Sequence, residues 1–331
     1  MAERGTSDGG GGGLGGTPRR ALAALAAGAA ATRLAAPRLA RAAPPEERAA
    51  EVADGVFVLR GLHEDASAEN ANAIANTAFV VGRESVAVVD PGGTARHGRL
   101  LRAAVARAAA LPIRHVVVSH VHPDHSMGGA AFADLPGLEV VAHAAFPAQM
   151  AQRLPYYQAL LEREAAGLGG SAPLAPTRLV AEGEAVALDL GGRALRVRAH
   201  PTAHTSNDLT ALDEATGTLL AADLVFAERC PSLEGSLRGW VAVLDGLRAE
   251  AGVARCVPGH GPVSLPWPGG SDDLARYLRA VLEETRAAVA SGVDIADAPG
   301  TVARAESLRW LLADVYHGRN VTAAYRELEW E

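Results

Sequence analysis

Within the stretch Ser119-His120-Val121-His122-Pro123-Asp124-His125, three imidazoles and one carboxylate occupy six consecutive positions. In extended chain, residues two apart point the same way, so His120 and His122 can bind one metal ion together. The chain then turns at Pro123. Asp124 and His125 follow in a tighter conformation, face another direction, and can serve a second ion. Imidazole with carboxylate suits Zn²⁺ or Fe and does not suit the all-oxygen shells of Ca²⁺ or Mg²⁺. The alternative is a solvated His-rich loop. Against it stands the coincidence of H-x-H-x-D-H with the end of a Val-rich segment.

That segment, Ile113-Arg114-His115-Val116-Val117-Val118, reads as a buried strand. After the cluster come Ser126-Met127-Gly128-Gly129 and a small-residue run that reads as a helix. The cluster therefore lies where a strand gives way to a helix, the place where open α/β sheets put their ligand sites. Four donors do not complete two sites, because each ion needs three or four ligands and an open position. Three later motifs can supply the rest: Pro201-Thr202-Ala203-His204-Thr205, Ala221-Ala222-Asp223, and Val257-Pro258-Gly259-His260-Gly261-Pro262. Each is expected at the C-terminal end of a strand, so one sheet edge could gather them.

The elements that must do the gathering are legible as two similar halves. In the first half, strands are expected at Val56 to Leu59, Ala78 to Val81, Ser85 to Val89, Ile113 to Val118 and Leu138 to Ala142, with helices at Gly98 to Ala110 and Pro147 to Ala166. A Gly/Pro-rich link spans Gly167 to Pro176. In the second half, strands are expected at Ala185 to Leu190, Ala194 to Arg198, Leu209 to Leu212, Thr218 to Ala222 and Arg255 to Val257, with a helix at Ser236 to Glu250. Strands then helix, twice, predict two sheets packed face to face with helices on both outer faces. The C-terminal segment predicts helices at Asp273 to Ala290 and Ala303 to Tyr316, with Trp310, Tyr325 and Trp330 as packing anchors.

The N-terminal residues read as a targeting signal. A glycine run precedes the paired arginines Arg19-Arg20, an eleven-residue apolar stretch runs from Ala21 to Ala31, and Ala40-Arg41-Ala42 forms a small-x-small cleavage site. The apolar stretch is shorter than the roughly 20 residues that span a bilayer. The order of parts predicts export by the twin-arginine route and a periplasmic or exported protein. The alternative is an Ala/Arg-rich tail of a cytosolic protein. Removing residues 1–42, with six arginines and two acids, leaves 289 residues and takes the formal net charge from −7 to −11. Such a chain is a poor partner for nucleic acid or an anionic membrane surface. All 31 basic residues are arginine. The only cysteines, Cys230 and Cys256, either pair in an oxidising compartment or remain separate thiols.

Taken in order, H-x-H-x-D-H, H-T, a strand-end Asp and G-H-G resemble the metallo-β-lactamase superfamily, over about residues 50 to 265. The resemblance implies an α/β (α+β) chain folded as an αββα four-layer sandwich with C-terminal helices. The layout would be an export signal at 1–42, a metallo-β-lactamase-type domain at 43–265, and a helical segment at 266–331 packed on the same domain. It further implies that His120, His122 and His204 hold a first metal, that Asp124, His125 and His260 hold a second, and that Asp223 bridges them. His204 is preferred to His200 because Thr205 follows it, although Ala203 stands where many members have Gly. Ser119 is expected to orient His120, and Asp90 to brace the metal loop. His97, His115, His143 and His317 are expected to be structural or surface residues.

The activity implied is that of a metal-dependent hydrolase. Two Zn²⁺ ions about 3.5–4 Å apart share a hydroxide that attacks a thioester, ester or amide carbonyl of a small molecule. Asp124 would bind metal and orient the nucleophile. Asp223 argues against a true class B β-lactamase, where Cys or Ser is the rule. The seven-ligand set is similar to that of hydroxyacylglutathione hydrolases, but the C-terminal segment lacks their basic glutathione-binding pattern. The segments 200–210, 237–240 and 257–262 look most similar to exported quinoprotein relay system zinc metallohydrolases, which would make a periplasmic quinoprotein dehydrogenase system the partner. Three alternatives stay open: a mononuclear iron enzyme similar to persulfide dioxygenases, β-lactamase activity, and a non-catalytic metal-binding partner of the dehydrogenase. For substrate contacts the sequence points to Arg229, which binds a carboxylate or pairs at the surface with Glu228 or Glu234, and to His63 in the loop after the first strand.

Overall fold

The computed structural model describes residues 48–164 and 169–331. The export signal expected at 1–42 and part of the link expected at 167–176 lie outside the described residues. Thirteen strands form two sheets among the described residues. The first has the order β1 (Ala50–Ala53), β2 (Val56–Leu59), β3 (Thr77–Val81), β4 (Val86–Val89), β5 (Ile113–Val118), β6 (Glu139–His143), β7 (Arg178–Val180). The second runs β13 (Leu265–Pro266), β12 (Arg255–His260), β11 (Thr218–Phe226), β10 (Leu209–Asp213), β9 (Ala194–Ala199), β8 (Ala185–Asp189).

Pairing is antiparallel from β1 to β4 and parallel from β4 to β7. Parallel neighbours need crossovers, and α1 (Ala95–Ala108) and α3 (Phe146–Glu164) supply two of them. Between them lie the single turn α2 (Pro123–Ser126) and a 3₁₀ segment, Met127–Phe132. In the second sheet only β11 and β12 are parallel, and α4 (Leu237–Arg248) joins them.

Burial follows from these pairings. All four residues of β4 are buried, as expected of a parallel strand covered on both faces. In β9 the pattern alternates: Leu195, Val197 and Ala199 are buried, and the arginines between them are half-exposed. Those three pack with Val56, Val58, Val80 and Val117 of the first sheet in a core between the sheets. A second core puts Val86, Val88, Val116 and Val118 against Leu101 and Val105 of α1 and Tyr157 and Leu161 of α3. A third puts Leu219 and Cys256 against α4, α5 (Asp272–Ala290) and α8 (Ala313–Leu328). Three cores between four layers make an αββα sandwich, the architecture expected from the sequence.

A single turn, α6 (Ala298–Thr301), precedes the helix expected over Ala303–Tyr316, which is itself replaced by one further turn, α7 (Arg304–Ser307), and by α8, which starts only at Ala313. Leu311 explains the break. Its N–H donates to Glu228 O at 2.8 Å and its carbonyl accepts from Cys230 N at 2.8 Å, so its backbone pairs as in a strand. Leu312 then takes a left-handed φ of 59° and opens α8. Cys230 and Cys256 are separate buried thiols, so the pairing alternative does not hold. No helix among the described residues is long and apolar enough to cross a membrane.

Arg193 ties the two sheets together. It donates to both carboxylate oxygens of Asp213 at 2.8 Å, to Val81 O at the end of β3 and to Asp54 O in the β1–β2 turn. Burial alone would raise the Asp213 pKa, but Arg193 and Thr216 outweigh it and hold the carboxyl below its usual range. A depressed folded-state pKa stabilises above the unfolded value near 3.9 and loses that contribution as the pH falls. Removing one partner of a buried pair costs about 3–5 kcal/mol. Asp213→Asn is therefore expected to lose about that much at pH 7 in urea unfolding. Its stability should also fall less steeply than the wild type's below about pH 4.

Candidate metal centre

The seven donors singled out by the sequence converge at one edge of the sandwich. His120 is separated from the end of β5 by Ser119 alone, and His122 is still extended (φ −60°, ψ 147°) before Pro123 opens the turn that carries Asp124 and His125. His204 lies in the loop between β9 and β10. His260 is the last residue of β12. Asp223 departs from expectation: it sits within β11 and not at its end. The β11–β12 register shifts at Ala222, whose φ is 44°, and this kink accompanies the turn of the Asp223 carboxylate toward the cluster. Gly259 leaves room for it, since a Cβ there would collide with Asp223 Oδ1.

The donors form two groups. His120, His122, His204 and Asp223 make one, and Asp124, His125 and His260 the other, with ligand atoms within 4.8 Å of one another in each. Asp223 faces both. Its Oδ2 is 3.3 Å from His204 Nε2 and 3.7 Å from His120 Nε2, while its Oδ1 is 3.1 Å from His125 Nε2 and 3.5 Å from His260 Nε2. Asp124 Oδ2 stands 3.3 Å from His260 Nε2 and 3.6 Å from His125 Nε2.

What aims these atoms is the hydrogen bonding on the far side of each ring. His120 Nδ1 is 3.0 Å from Ser119 Oγ, which donates to Asp90 Oδ2. His125 Nδ1 is 2.7 Å from the same Asp90 oxygen, and Asp90 Oδ1 accepts from Ser119 N. His204 Nδ1 reaches Ser232 O at 2.7 Å, and His260 Nδ1 reaches Ile74 O at 2.9 Å. His122 is turned the other way: its Nε2 is 2.9 Å from Glu234 Oε2, and its Nδ1 faces the cluster. With each outer nitrogen donating, every ring presents a lone pair inward.

A cation suits that arrangement. His120 Nε2 is buried without a hydrogen-bond partner, and His125 Nε2 and Asp223 Oδ1, though 3.1 Å apart, are not aligned to bond each other. His122 Nδ1 and His204 Nε2 stand 3.1 Å apart, two lone pairs on one point. Imidazole nitrogens and carboxylate oxygens are the donors zinc accepts. Burial opposes ionisation of Asp223, but His125 and His260 outweigh it and hold its pKa well below the usual carboxylate range. Burial and the charge of His125 push His120 well below the ordinary imidazole value. In Glu234, burial is outweighed by the bond from His122, and the pKa falls to about 2.

The other residues named from the sequence are placed as follows. His200 is buried against Thr210 Oγ1 at 2.8 Å, away from the cluster, and burial lowers its pKa to about 4. Thr205 has its own work: its N–H and Oγ1 both donate to Asp208 and set the His204 loop. Arg229 is buried, makes no surface pair with Glu228 or Glu234, and lines the cavity beside the cluster. Glu228 instead meets His63 at 3.2 Å and Arg60 at 3.6 Å; His63 does not line that cavity, whereas Asp65 and Ala66 of the same loop do. Trp240 is core, its Nε1 donating to Leu224 O. The sequence reading missed Glu234, Ser232 and the α8 residues Tyr316 and Arg319 that reach the cavity. No local motif marks them.

Asp90 has a φ of 63°, a conformation that Asn tolerates well. Asp90→Asn therefore keeps the backbone but replaces one acceptor oxygen by a donor. Zinc affinity is expected to fall about 10–100-fold in competition with a chelator. Unchanged affinity would show that the bracing does not matter.

Residues 72–290 match the family model described as the metallo-beta-lactamase superfamily. No curated protein matches the chain. Among solved structures, the sec-alkylsulfatase Pisa1 from Pseudomonas sp. aligns with a TM-score of 0.65 at 16% identity, covering 86% of this chain and 50% of that one. The chain thus spans about half the length of that enzyme. A beta-lactamase domain protein from Burkholderia ambifaria aligns at 0.62 and 20% identity, covering 88% and 90%. The metallo-beta-lactamase FIM-1 from Pseudomonas aeruginosa, in its mono-zinc form, aligns at 0.55 and 16%, covering 72% and 96%. At these identities the likeness is one of fold. With a family model matched across two-thirds of its length, the chain belongs to the metallo-β-lactamase superfamily.

Proposed function

We propose that this protein is a binuclear zinc hydrolase acting on an ester, thioester or amide of a small molecule. The observation that carries the reading is the pair of donor groups with Asp223 facing both, because a single-metal site needs only one of them. Zinc bound there would supply hydroxide at neutral pH, by lowering the pKa of water to about 7, and would polarise the substrate oxygen.

The chain's own residues do the rest. Asp124 is ionised: burial opposes this, but His125 and His260 outweigh it and hold its pKa well below the usual range. Its carboxylate lines the cavity and can orient the attacking nucleophile by accepting a hydrogen bond from it. His122, Asp223 and His260 line the same cavity of about 430 Å³, so a substrate that enters it meets both groups. Burial of the cluster excludes bulk water and strengthens each electrostatic contact. The reading extends, on the sequence alone, to an exported enzyme working beside a periplasmic quinoprotein dehydrogenase system.

The test is His122→Ala in the zinc-loaded chain, assayed on thioesters, lactones, β-lactams and alkyl sulfates. Bound zinc and turnover are expected to fall together while cooperative unfolding persists. Full turnover with intact metal would remove His122 from the site. Iron in the purified protein, with oxygen uptake on a persulfide, would replace hydrolysis by dioxygenation.

A further inference from the structure

The acids and the cations of the cavity wall are unequally engaged. Glu234 is held by Arg153 at 2.9 Å and by His122. Asp65 accepts from the Tyr316 hydroxyl at 2.7 Å. Arg229, by contrast, is 4% exposed and has no carboxylate within ion-pairing distance among the described residues. Its Nη1 donates to Glu64 O at 3.1 Å and lies 3.2 Å from His260 Nδ1. Its Nη2 donates to Tyr316 Oη at 2.7 Å, and its Nε has no partner.

A second guanidinium joins it. Arg319, one turn along α8 from Tyr316, lines the same cavity and has no acidic partner among the described residues. The centre of the Tyr316 ring lies 5.1 Å from the Arg229 guanidinium and 6.0 Å from that of Arg319. Burying the Arg229 guanidinium without a counter-ion is costly, and the exposed Arg319 beside the same ring adds a second positive charge. From α3, Tyr156, Tyr157 and Leu160 give the same cavity an aromatic and aliphatic wall.

We infer that the substrate carries an anionic group, a carboxylate or a sulfate, set apart from the bond that is cleaved. Arg319 receives that group in the bidentate manner of guanidinium, Arg229 adds its buried positive charge beside it, and the α3 wall packs the apolar body. The inference rests on the cavity beside the metal groups being the active site. Its test does not need turnover.

Binding of 4-phenylbutyrate, 4-phenylbutyl sulfate and the neutral 4-phenylbutanamide is measured calorimetrically on the zinc-loaded full chain, at low and high salt. The wild type is expected to bind at least one anion more than about 10-fold tighter than the amide, an advantage that shrinks with salt. Arg319→Glu is expected to erase it. Arg319 is exposed, and zinc content and thermal unfolding of the variant verify that the fold is kept. An anion preference that survives in Arg319→Glu is not made by Arg319 and overturns the inference, as does a wild type that binds the amide equally well. A chain that binds the anions through Arg319 but hydrolyses nothing would leave this inference standing and reject the proposed hydrolysis.

Discussion

An imidazole can offer a metal only one lone pair, and only if its other nitrogen is occupied elsewhere. That constraint organises the metal edge. Five rings have to be turned before any ion arrives, and five acceptors on the far side turn them: Ser119 Oγ, Asp90, Glu234, Ser232 O and Ile74 O. Asp90 carries the largest share, because one buried carboxylate fixes His125 directly and His120 through Ser119. It stands at the end of β4, beside the strand that delivers the H-x-H-x-D-H turn. His120 and His125 are thus held by the first sheet's own framework.

The second sheet brings the remaining donors, and short bonds between the sheets keep the two sets in register. Leu209 N donates to Ser119 O at 2.7 Å, and Asn76 N donates to Gly259 O at 2.7 Å. The C-terminal helices add a further link. Asn320 of α8 accepts from Leu233 N and donates to Pro231 O, which fixes the loop holding Ser232 and Glu234. The same helix closes the outer core with Val321 and Ala324 and sends Tyr316 and Arg319 to the cavity. Packing, ligand orientation and substrate contact are therefore coupled through one helix.

How much of this was legible in the sequence depends on how local the cause is. The turn at Pro123 and the two facing directions of its ligands follow from short-range geometry, and the structure shows them. The bracing by Ser119 and Asp90 was also readable, since both lie at strand ends beside the cluster. Asp223 was found by its motif but misplaced, because the kink at Ala222 arises from pairing with β12 rather than from residues 218–222 themselves. The helix expected at Ala303–Tyr316 failed for the same reason: Leu311 is captured by the strand-like segment at Glu228–Cys230. Glu234 looked like a surface partner for Arg229 and instead anchors His122 across 112 positions. Nothing in the local sequence reports a contact of that range.

The central claim is that these preset rings receive two ions, one per group, with Asp223 between them. Anomalous diffraction at the zinc edge, from crystals of the zinc-loaded chain, tests it most directly. Two peaks about 3.5–4 Å apart are expected. One should be bound by His120, His122 and His204, the other by Asp124, His125 and His260. A single peak, or ions bound away from these residues, would contradict the account.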